Sequence, residues 1–260
     1  GHETLLHEIP LPKDRVYYFD FSSYLNLGSW LGLVKWLRRE KFDILFSNLI
    51  LANTVVRVAA YIAGIKSIIV AEHNIYPSKK YKQFLVDRIL SNITRHIVAV
   101  SYDVKDFLTT KGGISEDKIN VLYDGIDIEK FTTEISKREK LRDKYGFSYK
   151  EVIIISVGRA VVQKGYDILL ETADRLRDEL TDKKFRFIIA GQDNTDPGVA
   201  LKKQLRDLNL SGVVEFWGPR DDVPSLLAAS DIFFMPSRRE GFGMVVIEAM
   251  AAGLPCVVTD

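Results

Sequence analysis

The sequence predicts an α/β protein made of two domains, each with a doubly wound parallel sheet. Short apolar runs rich in β-branched residues alternate with longer segments of helical period, a pattern typical of βα units. A charged segment without a strand separates two such series. The length of 260 residues accommodates two modest domains at about 150 residues each.

The first half of the chain contains the predicted elements of an N-terminal domain over residues 1–148. The predicted helices cover residues 31–39, 54–63, 80–91 and 101–110. The predicted strands cover residues 4–7, 15–20, 42–46, 67–71, 96–100 and 119–122. Residues 128–150 are charged, include one short predicted helix over 137–145, and are interpreted as a linker.

The second half contains the predicted elements of a C-terminal domain over residues 149–260. The predicted strands cover residues 152–157, 185–190, 213–216, 231–235 and 256–258. The predicted helices cover residues 166–180, 199–208, 223–229 and 244–252. The first of these helices should cover a sheet, because its apolar side chains share one face. They are Tyr166, Leu169, Leu170, Ala173, Leu176 and Leu180.

Composition excludes several classes of protein. The 36 Lys and Arg residues nearly balance 35 Asp and Glu residues, so we expect no nucleic-acid partner. The single cysteine, Cys256, cannot form an internal disulfide and has no metal-site spacing, which favours a reducing compartment and a cytoplasmic protein. No apolar run approaches the roughly 18 residues of a membrane span.

The richest candidate site follows the strand over residues 231–235. Gly241 and Gly243 allow close backbone approach, and the helix N-terminus after them suits a phosphate. Glu248 lies roughly 7.5 Å further along that helix, where a carboxylate can accept hydrogen bonds from the two ribose hydroxyls. Glu240 would then contact the chemical group that is attached to the far side of the phosphates. The alternative is that both glycines are turn residues and both glutamates are solvated.

A second candidate loop follows the first strand of the same domain. It begins at Gly158 and contains Arg159 and Lys164. Two cations beside a helix N-terminus can neutralise a diphosphate that leaves with negative charge. The alternative is a solvated loop without a ligand.

These residues resemble the motifs of retaining glycosyltransferases of family 4, which have the GT-B fold, and the resemblance covers nearly the whole chain. The most specific feature is the spacing of Glu240 and Glu248, separated by seven residues. The Asp124-Gly125-Ile126-Asp127 segment also resembles the family's Asn-Gly-Val-Asp segment, with Asp124 in place of the asparagine. The other matching segments are Gly158-Arg159, Lys164-Gly165, Ala190-Gly191, Pro236-Ser237, Gly241-Phe242-Gly243, Ala249-Met250-Ala251 and Gly253-Leu254-Pro255.

The resemblance implies a role for each matching residue. Arg159 and Lys164 would hold the donor diphosphate, Glu240 the donor sugar and Glu248 the ribose, while His73 would line the acceptor side. We therefore predict His73, Glu240, Arg159 and Lys164 as catalytic residues. The predicted donor-binding residues are Gly158, Arg159, Lys164, Gly191, Gly218, Arg220, Glu240, Gly241, Phe242, Gly243, Met244 and Glu248.

The function implied is transfer of a hexose-type sugar to a glycan or lipid-linked acceptor, with retention of configuration. The donor would be a UDP-, GDP- or ADP-sugar, and no metal or cofactor is expected. The GT-B resemblance also implies two domains that face a cleft, incomplete at both ends of the chain. Two alternatives stay open: a nucleotide-sugar-binding fragment without turnover, and a nucleotide-sugar epimerase.

A local excess of cations suggests an additional partner. Residues 35–95 contain eleven Lys and Arg residues and four Asp and Glu residues. Residues 76–84 mix lysines with aromatic side chains, a combination also found at sites for a lipid-phosphate acceptor or for peripheral contact with an anionic membrane at its inner face. The alternative is a set of solvated helix faces.

Overall fold

The computed structural model describes residues 15–21, 26–77 and 79–259. The chain forms two compact units that divide between Leu122 and Tyr123. The predicted strand over residues 4–7 lies outside the described residues. Within the described part of the chain, every helix is too short or too polar to cross a membrane.

The first unit contains a parallel sheet whose four described strands lie side by side in chain order. These strands are β1 (Ile44–Asn48), β2 (Ser67–Glu72), β3 (His96–Ala99) and β4 (Ile119–Val121). The helices are α1 (Leu27–Glu40), α2 (Ile50–Ala63), α3 (Tyr81–Ser91) and α4 (Tyr102–Thr110). The helix α1 begins before the predicted residue 31 because the Asn26 side chain caps it, accepting a 3.2 Å hydrogen bond from the Ser29 N–H.

Residues 16–21 form no strand, so the predicted strand over residues 15–20 is wrong. Its alternating aromatic side chains pack on α1 instead. The rings of Tyr17 and Phe19 lie 4.8 and 5.8 Å from the ring of Trp36, and Phe21 lies 5.3 Å from Trp30. The alternation that resembles a strand thus comes from aromatic packing without strand pairing.

The second unit contains a five-stranded parallel sheet in the order β7-β6-β5-β8-β9. The strands are β5 (Glu151–Val157), β6 (Lys184–Ala190), β7 (Val214–Gly218), β8 (Ile232–Met235) and β9 (Cys256–Val258). The helices are α5 (Ile128–Ile135), α6 (Arg138–Tyr145), α7 (Tyr166–Glu179), α8 (Asp196–Asp207), α9 (Val223–Ala229) and α10 (Met244–Ala251). The chain therefore winds from β5 outward to β7 and returns to the other side of β5 at β8.

Alternate residues of these strands form cores on both faces of the sheet. On one face, Ile154 and Phe187 pack with Leu169 and Leu170 of α7, which confirms the predicted sheet-facing side of that helix. On the other face, Ile153 and Phe233 belong to a core that includes residues of α5, α6, α9 and α10. Helices on both sheet faces confirm a doubly wound second unit.

The segment interpreted as a linker is part of the second unit. Its helices α5 and α6 contribute buried Phe131 and Leu141 to the core beneath α9. Arg142 is 3% exposed, and its guanidinium donates to the carbonyls of Ala229, Ser148 and Glu151 and to the Asp231 carboxylate. The bonds to Ala229 and Asp231 span 87 and 89 positions and tie this segment to the second sheet. The boundary between the units accordingly lies between residues 122 and 123 instead of 148 and 149.

Candidate active site

The predicted donor loops meet at the switch point of the second sheet. β5 is hydrogen-bonded to β6 on one side and to β8 on the other. Because the chain leaves β5 in one direction and returns on its other side, the loops after β5 and β8 enclose a crevice at the carboxyl edge. These loops are residues 158–165 and 236–243, and each carries predicted site residues.

Two of the predicted residues form an ion pair across these loops. The Lys164 Nζ lies 2.8 Å from Oε1 of Glu240, and the two side chains are 17% and 21% exposed. The aliphatic part of Lys164 passes over Gly158, where an added Cβ would lie 2.9 Å from Cε of the lysine. The absence of a side chain at Gly158 therefore leaves the path of Lys164 open.

Gly165 allows the two loops to touch. Its φ angle is +65°, and an added Cβ would lie 1.9 Å from the carbonyl oxygen of Pro236. A side chain at this position is excluded both by the backbone conformation and by the neighbouring carbonyl. The end of the Lys164 loop thus rests directly on the start of the Glu240 loop.

Gly191 permits close approach to a neighbouring strand. An added Cβ would lie 2.0 Å from the carbonyl oxygen of Gly158, and the Gly191 N–H donates to the Gly218 carbonyl over 2.8 Å. Glycines thus occupy the carboxyl ends of β5, β6 and β7 side by side. The structure gives Gly191 a packing role, and its predicted contact with a donor stays a prediction.

The helix α10 begins at Met244, directly after Gly243, whose φ angle is +72°. The first N–H groups of a helix have no partner within the helix and favour a negative charge at this end. Glu248 lies in the second turn and is partly buried, and this burial raises the pKa of its carboxyl group, while the Lys130 ammonium acts in the opposite direction. Because burial disfavours the ionised carboxylate, hydrogen bonds donated by hydroxyl groups would stabilise that ionised form.

Phe242 has an aromatic partner that the sequence analysis missed. Its ring stacks on Tyr123, with centroids 5.1 Å apart and planes 24° from parallel. Tyr123 is the first residue of the second unit and precedes the Asp124-Gly125-Ile126-Asp127 segment. No local sequence signal identifies this contact, because the partners are distant along the chain.

The Arg220 guanidinium is held by neighbouring residues. It donates two hydrogen bonds, of 2.8 and 2.7 Å, to the Asp222 carboxylate and lies 5.7 Å from the Trp217 ring centroid. Asp222 also accepts a 2.8 Å bond from the Tyr145 hydroxyl. These contacts fix the loop around Gly218 and direct the Arg220 side chain to protein partners.

The remaining predicted catalytic residues lie at the edges of their own units. Arg159 is exposed in the loop after β5. His73 directly follows β2 in the first unit, and its Nε2 lies 3.0 Å from Oδ1 of Asn48, the last residue of β1. Asn48 is a second residue that sequence reasoning missed. Among the described residues, no group of three His, Cys, Asp or Glu side chains could hold a metal ion.

A doubly wound sheet with cations, glycines and a helix N-terminus at its switch point defines a class of α/β proteins that bind phosphorylated ligands there. Residues 137–260 belong to the glycosyl transferases group 1, whose family profile matches them. The profile of Glycosyltransferase Family 4 matches residues 2–130. The fold is therefore GT-B, as the sequence analysis predicted.

Several known proteins similar to the chain are named as glycosyltransferases. UDP-Gal:alpha-D-GlcNAc-diphosphoundecaprenol alpha-1,3-galactosyltransferase of Escherichia coli is 28% identical over 99% of this chain and 65% of its own length. N,N'-diacetylbacillosaminyl-diphospho-undecaprenol alpha-1,3-N-acetylgalactosaminyltransferase of Campylobacter jejuni is 29% identical over 94% of this chain and 67% of its own length. The crystal structure of Anabaena Alr3699/HepE in complex with UDP and glucose has a TM-score of 0.83 and 26% identity, covering 98% of this chain and 69% of that protein.

The chain is shorter than these relatives. It spans 65% of the Escherichia coli galactosyltransferase and 54% of the putative glycosyltransferase EpsF of Bacillus subtilis, to which it is 30% identical.

Proposed function

We propose that this chain transfers a hexose-type sugar from a UDP-sugar to a lipid-linked glycan acceptor, with retention of configuration. The observation that carries this proposal is the meeting of Lys164, Glu240 and the N-terminus of α10 at the switch point of the second sheet. UDP is favoured over GDP and ADP because Alr3699/HepE, which is similar over 98% of this chain, was crystallised with UDP and glucose.

The second unit supplies complementary groups for each part of such a donor. The diphosphate fits between the cations Arg159 and Lys164 and the free N–H groups at the start of α10. In the proposed complex, Glu248 would accept hydrogen bonds from the ribose hydroxyls, and Glu240 from the hydroxyls of the sugar. The base would lie on the main chain near Gly218, since the Arg220 side chain is held by Asp222.

In the proposed reaction the bond between the anomeric carbon and the diphosphate oxygen breaks, and the acceptor hydroxyl oxygen forms the new glycosidic bond. The proton of that hydroxyl passes to the departing diphosphate. Negative charge builds up on the diphosphate during this step, and Arg159, Lys164 and the α10 N–H groups stabilise it. We propose that these fixed positive groups allow transfer without a divalent metal ion.

The acceptor proposal rests on the relatives and on the first unit. Both the Escherichia coli and the Campylobacter jejuni relatives have diphosphoundecaprenol-linked sugars in their names. His73, held by Asn48 at the carboxyl edge of the first sheet, is the proposed acceptor-side residue.

We also propose that α3 contacts an anionic membrane at its inner face, which would place the protein in the cytoplasm. The helix exposes an apolar stripe of Tyr81, Leu85 and Ile89, whose exposed fractions are 81%, 45% and 57%. Exposed Lys82 adjoins this stripe. The arrangement is typical of a helix that lies in a membrane interface. Lys79 cannot contribute, because its side chain is 4% exposed and forms an ion pair with Asp87.

The test is binding and turnover of UDP-, GDP- and ADP-sugars by this chain, with and without EDTA. We expect binding of a UDP-sugar, followed by transfer to a diphospho-lipid-linked sugar that EDTA leaves unchanged. Absence of nucleotide-sugar binding would refute the donor site. Binding without transfer or hydrolysis would favour a donor-binding fragment, and conversion of the free UDP-sugar to an epimer would favour an epimerase. Inhibition by EDTA would refute the metal-independent mechanism.

A further inference from the structure

The two donor loops are joined on their outer side by an arginine and an aspartate to which the sequence analysis assigned no role. Arg238 donates from Nη1 to Oδ1 of Asp167 over 2.8 Å and from Nη2 to Oδ2 over 2.5 Å. Asp167 is the second residue of α7, three positions after Lys164, and Arg238 lies two positions before Glu240. This bidentate pair therefore links the two chain segments that carry the Lys164–Glu240 ion pair.

The same arginine also holds the backbone of the Lys164 loop. The backbone N–H of Arg238 donates to the Gln163 carbonyl over 2.8 Å, and the Nη1 of the Arg238 side chain donates to the Val162 carbonyl over 3.1 Å. Gln163 donates in return from Nε2 to the Arg239 carbonyl over 3.0 Å. These bonds fix the register of residues 162–164 against residues 238–240.

Side-chain packing does not fill the space behind these bonds. A cavity of about 410 Å³ lies there, and its lining includes Val161, Tyr166 and Leu201 together with Asp167 and Arg238. The loop position on this side consequently depends on directional hydrogen bonds. A bidentate arginine–carboxylate pair supplies such direction because both groups are planar and both bonds must align.

The exposure of the pair indicates that overall stability is not its main effect. The Arg238 and Asp167 side chains are 39% and 40% exposed. Ion pairs at such exposure contribute little to stability. The hydrogen bonds from Arg238 hold the pKa of the Asp167 carboxyl below its usual range, so the pair is charged at neutral pH.

We propose that Arg238 and Asp167 are positioning residues that hold Lys164 and Glu240 in the relative geometry needed for sugar transfer. The inference rests on the proposed function. In the proposed complex, Lys164 on one loop meets the diphosphate and Glu240 on the other meets the sugar. Their relative position determines whether the anomeric carbon and the departing oxygen are aligned, and a misplacement of about 1 Å can reduce a rate by about 100-fold.

The test compares Arg238→Ala and Asp167→Asn with the matched control Arg177→Ala. Arg177 lies on the same helix α7, pairs with Asp174 at similar exposure, and also donates to a backbone carbonyl, that of Leu208. We expect Arg238→Ala and Asp167→Asn to lower kcat at least ten-fold while the Kd for UDP and the KM for the UDP-sugar stay within about three-fold. Arg177→Ala should leave all three unchanged. The charge-reversed double variant Arg238→Asp/Asp167→Arg should recover at least three-fold in kcat over either of its single reversals.

Two further outcomes are distinguishable. If the wild-type chain binds and transfers the sugar, and the Arg238 and Asp167 variants match Arg177→Ala, the positioning role is refuted and the proposed function stands. If the wild-type chain neither binds nor turns over a UDP-sugar, the proposed function fails and the positioning role fails with it. Hydrogen exchange of residues 158–165 provides a check that does not depend on activity: equal exchange in Arg238→Ala and Arg177→Ala would also refute the role.

Discussion

The ammonium group of Lys164 lies 2.8 Å from Oε1 of Glu240, so the proposed phosphate-binding cation and the proposed sugar-binding carboxylate neutralise each other. The pair has a specific consequence for donor binding. A diphosphate that approaches Lys164 gains a cation but also meets the negative charge of Glu240. Replacing the glutamate should therefore change binding and turnover in opposite directions.

We expect Glu240→Gln to bind UDP at least five-fold more tightly and to lose at least ten-fold in kcat. Two unit charges 4 Å apart interact by about 1 kcal/mol in water and more at a partly buried site, which accounts for the tighter binding. Lys164→Ala should weaken UDP binding and lower kcat together. The control is Glu151→Gln, which breaks a 2.8 Å ion pair with Arg186 at the amino end of β5. Weaker UDP binding by Glu240→Gln would contradict the prediction.

The contact between Gly165 and Pro236 can be tested by stability. Gly165→Ala should lower the free energy of unfolding by about 3 kcal/mol, since the left-handed backbone costs roughly 1–2 kcal/mol and the clash with the carbonyl adds to it. Gly146 is a matched control because its φ angle is +68° and an added Cβ would meet nothing within 4 Å. Urea denaturation of both variants measures the difference. Equal losses in the two variants would show that the loops do not touch.

Glu248 should make donor binding depend on pH. Burial raises the pKa of its carboxyl, and accepting ribose hydroxyls requires the ionised form, so binding must release a proton wherever the free carboxyl is protonated. Affinity for a UDP-sugar should then fall as the pH drops through a range above the ordinary glutamate pKa of about 4.3. Calorimetry in buffers of different ionisation enthalpy measures the released proton.

The variant Glu248→Gln should weaken binding near neutral pH and remove this part of the pH dependence. Glu179→Gln, at an exposed position on α7, serves as the control. An unchanged pH profile in Glu248→Gln would exclude the ribose role.

The exposed stripe of α3 should determine membrane affinity. Tyr81→Ser/Leu85→Ser/Ile89→Ser should reduce co-sedimentation with vesicles containing anionic lipid at least ten-fold at physiological salt, because the three side chains would no longer be buried among the lipids. The control Tyr149→Ser/Val199→Ser changes two side chains that are each 62% exposed in the second unit. Equal sedimentation of both variants, or none of the wild type, would refute the membrane contact.

The candidate site could be predicted in part from local sequence. Gly158, Lys164, Glu240 and Gly243 stand in the loops that follow two predicted strands, and strand ends of a parallel sheet share one edge. The Arg238–Asp167 pair, by contrast, joins residues with no local signal, since an exposed arginine and an aspartate near a helix start are common on any surface.

The sequence alone determined the alternation of strands and helices, the sheet-facing side of α7 and the family to which residues 137–260 belong, because these depend on residue spacing within one element or one loop. Tertiary structure decided the features that depend on distant partners. It assigned residues 123–148 to the second unit through buried Phe131 and Arg142, and it showed that the aromatic residues at 17–21 pack on α1. The physical reason is that a segment's burial and hydrogen bonds depend on the surface against which it folds, which its own spacing does not specify.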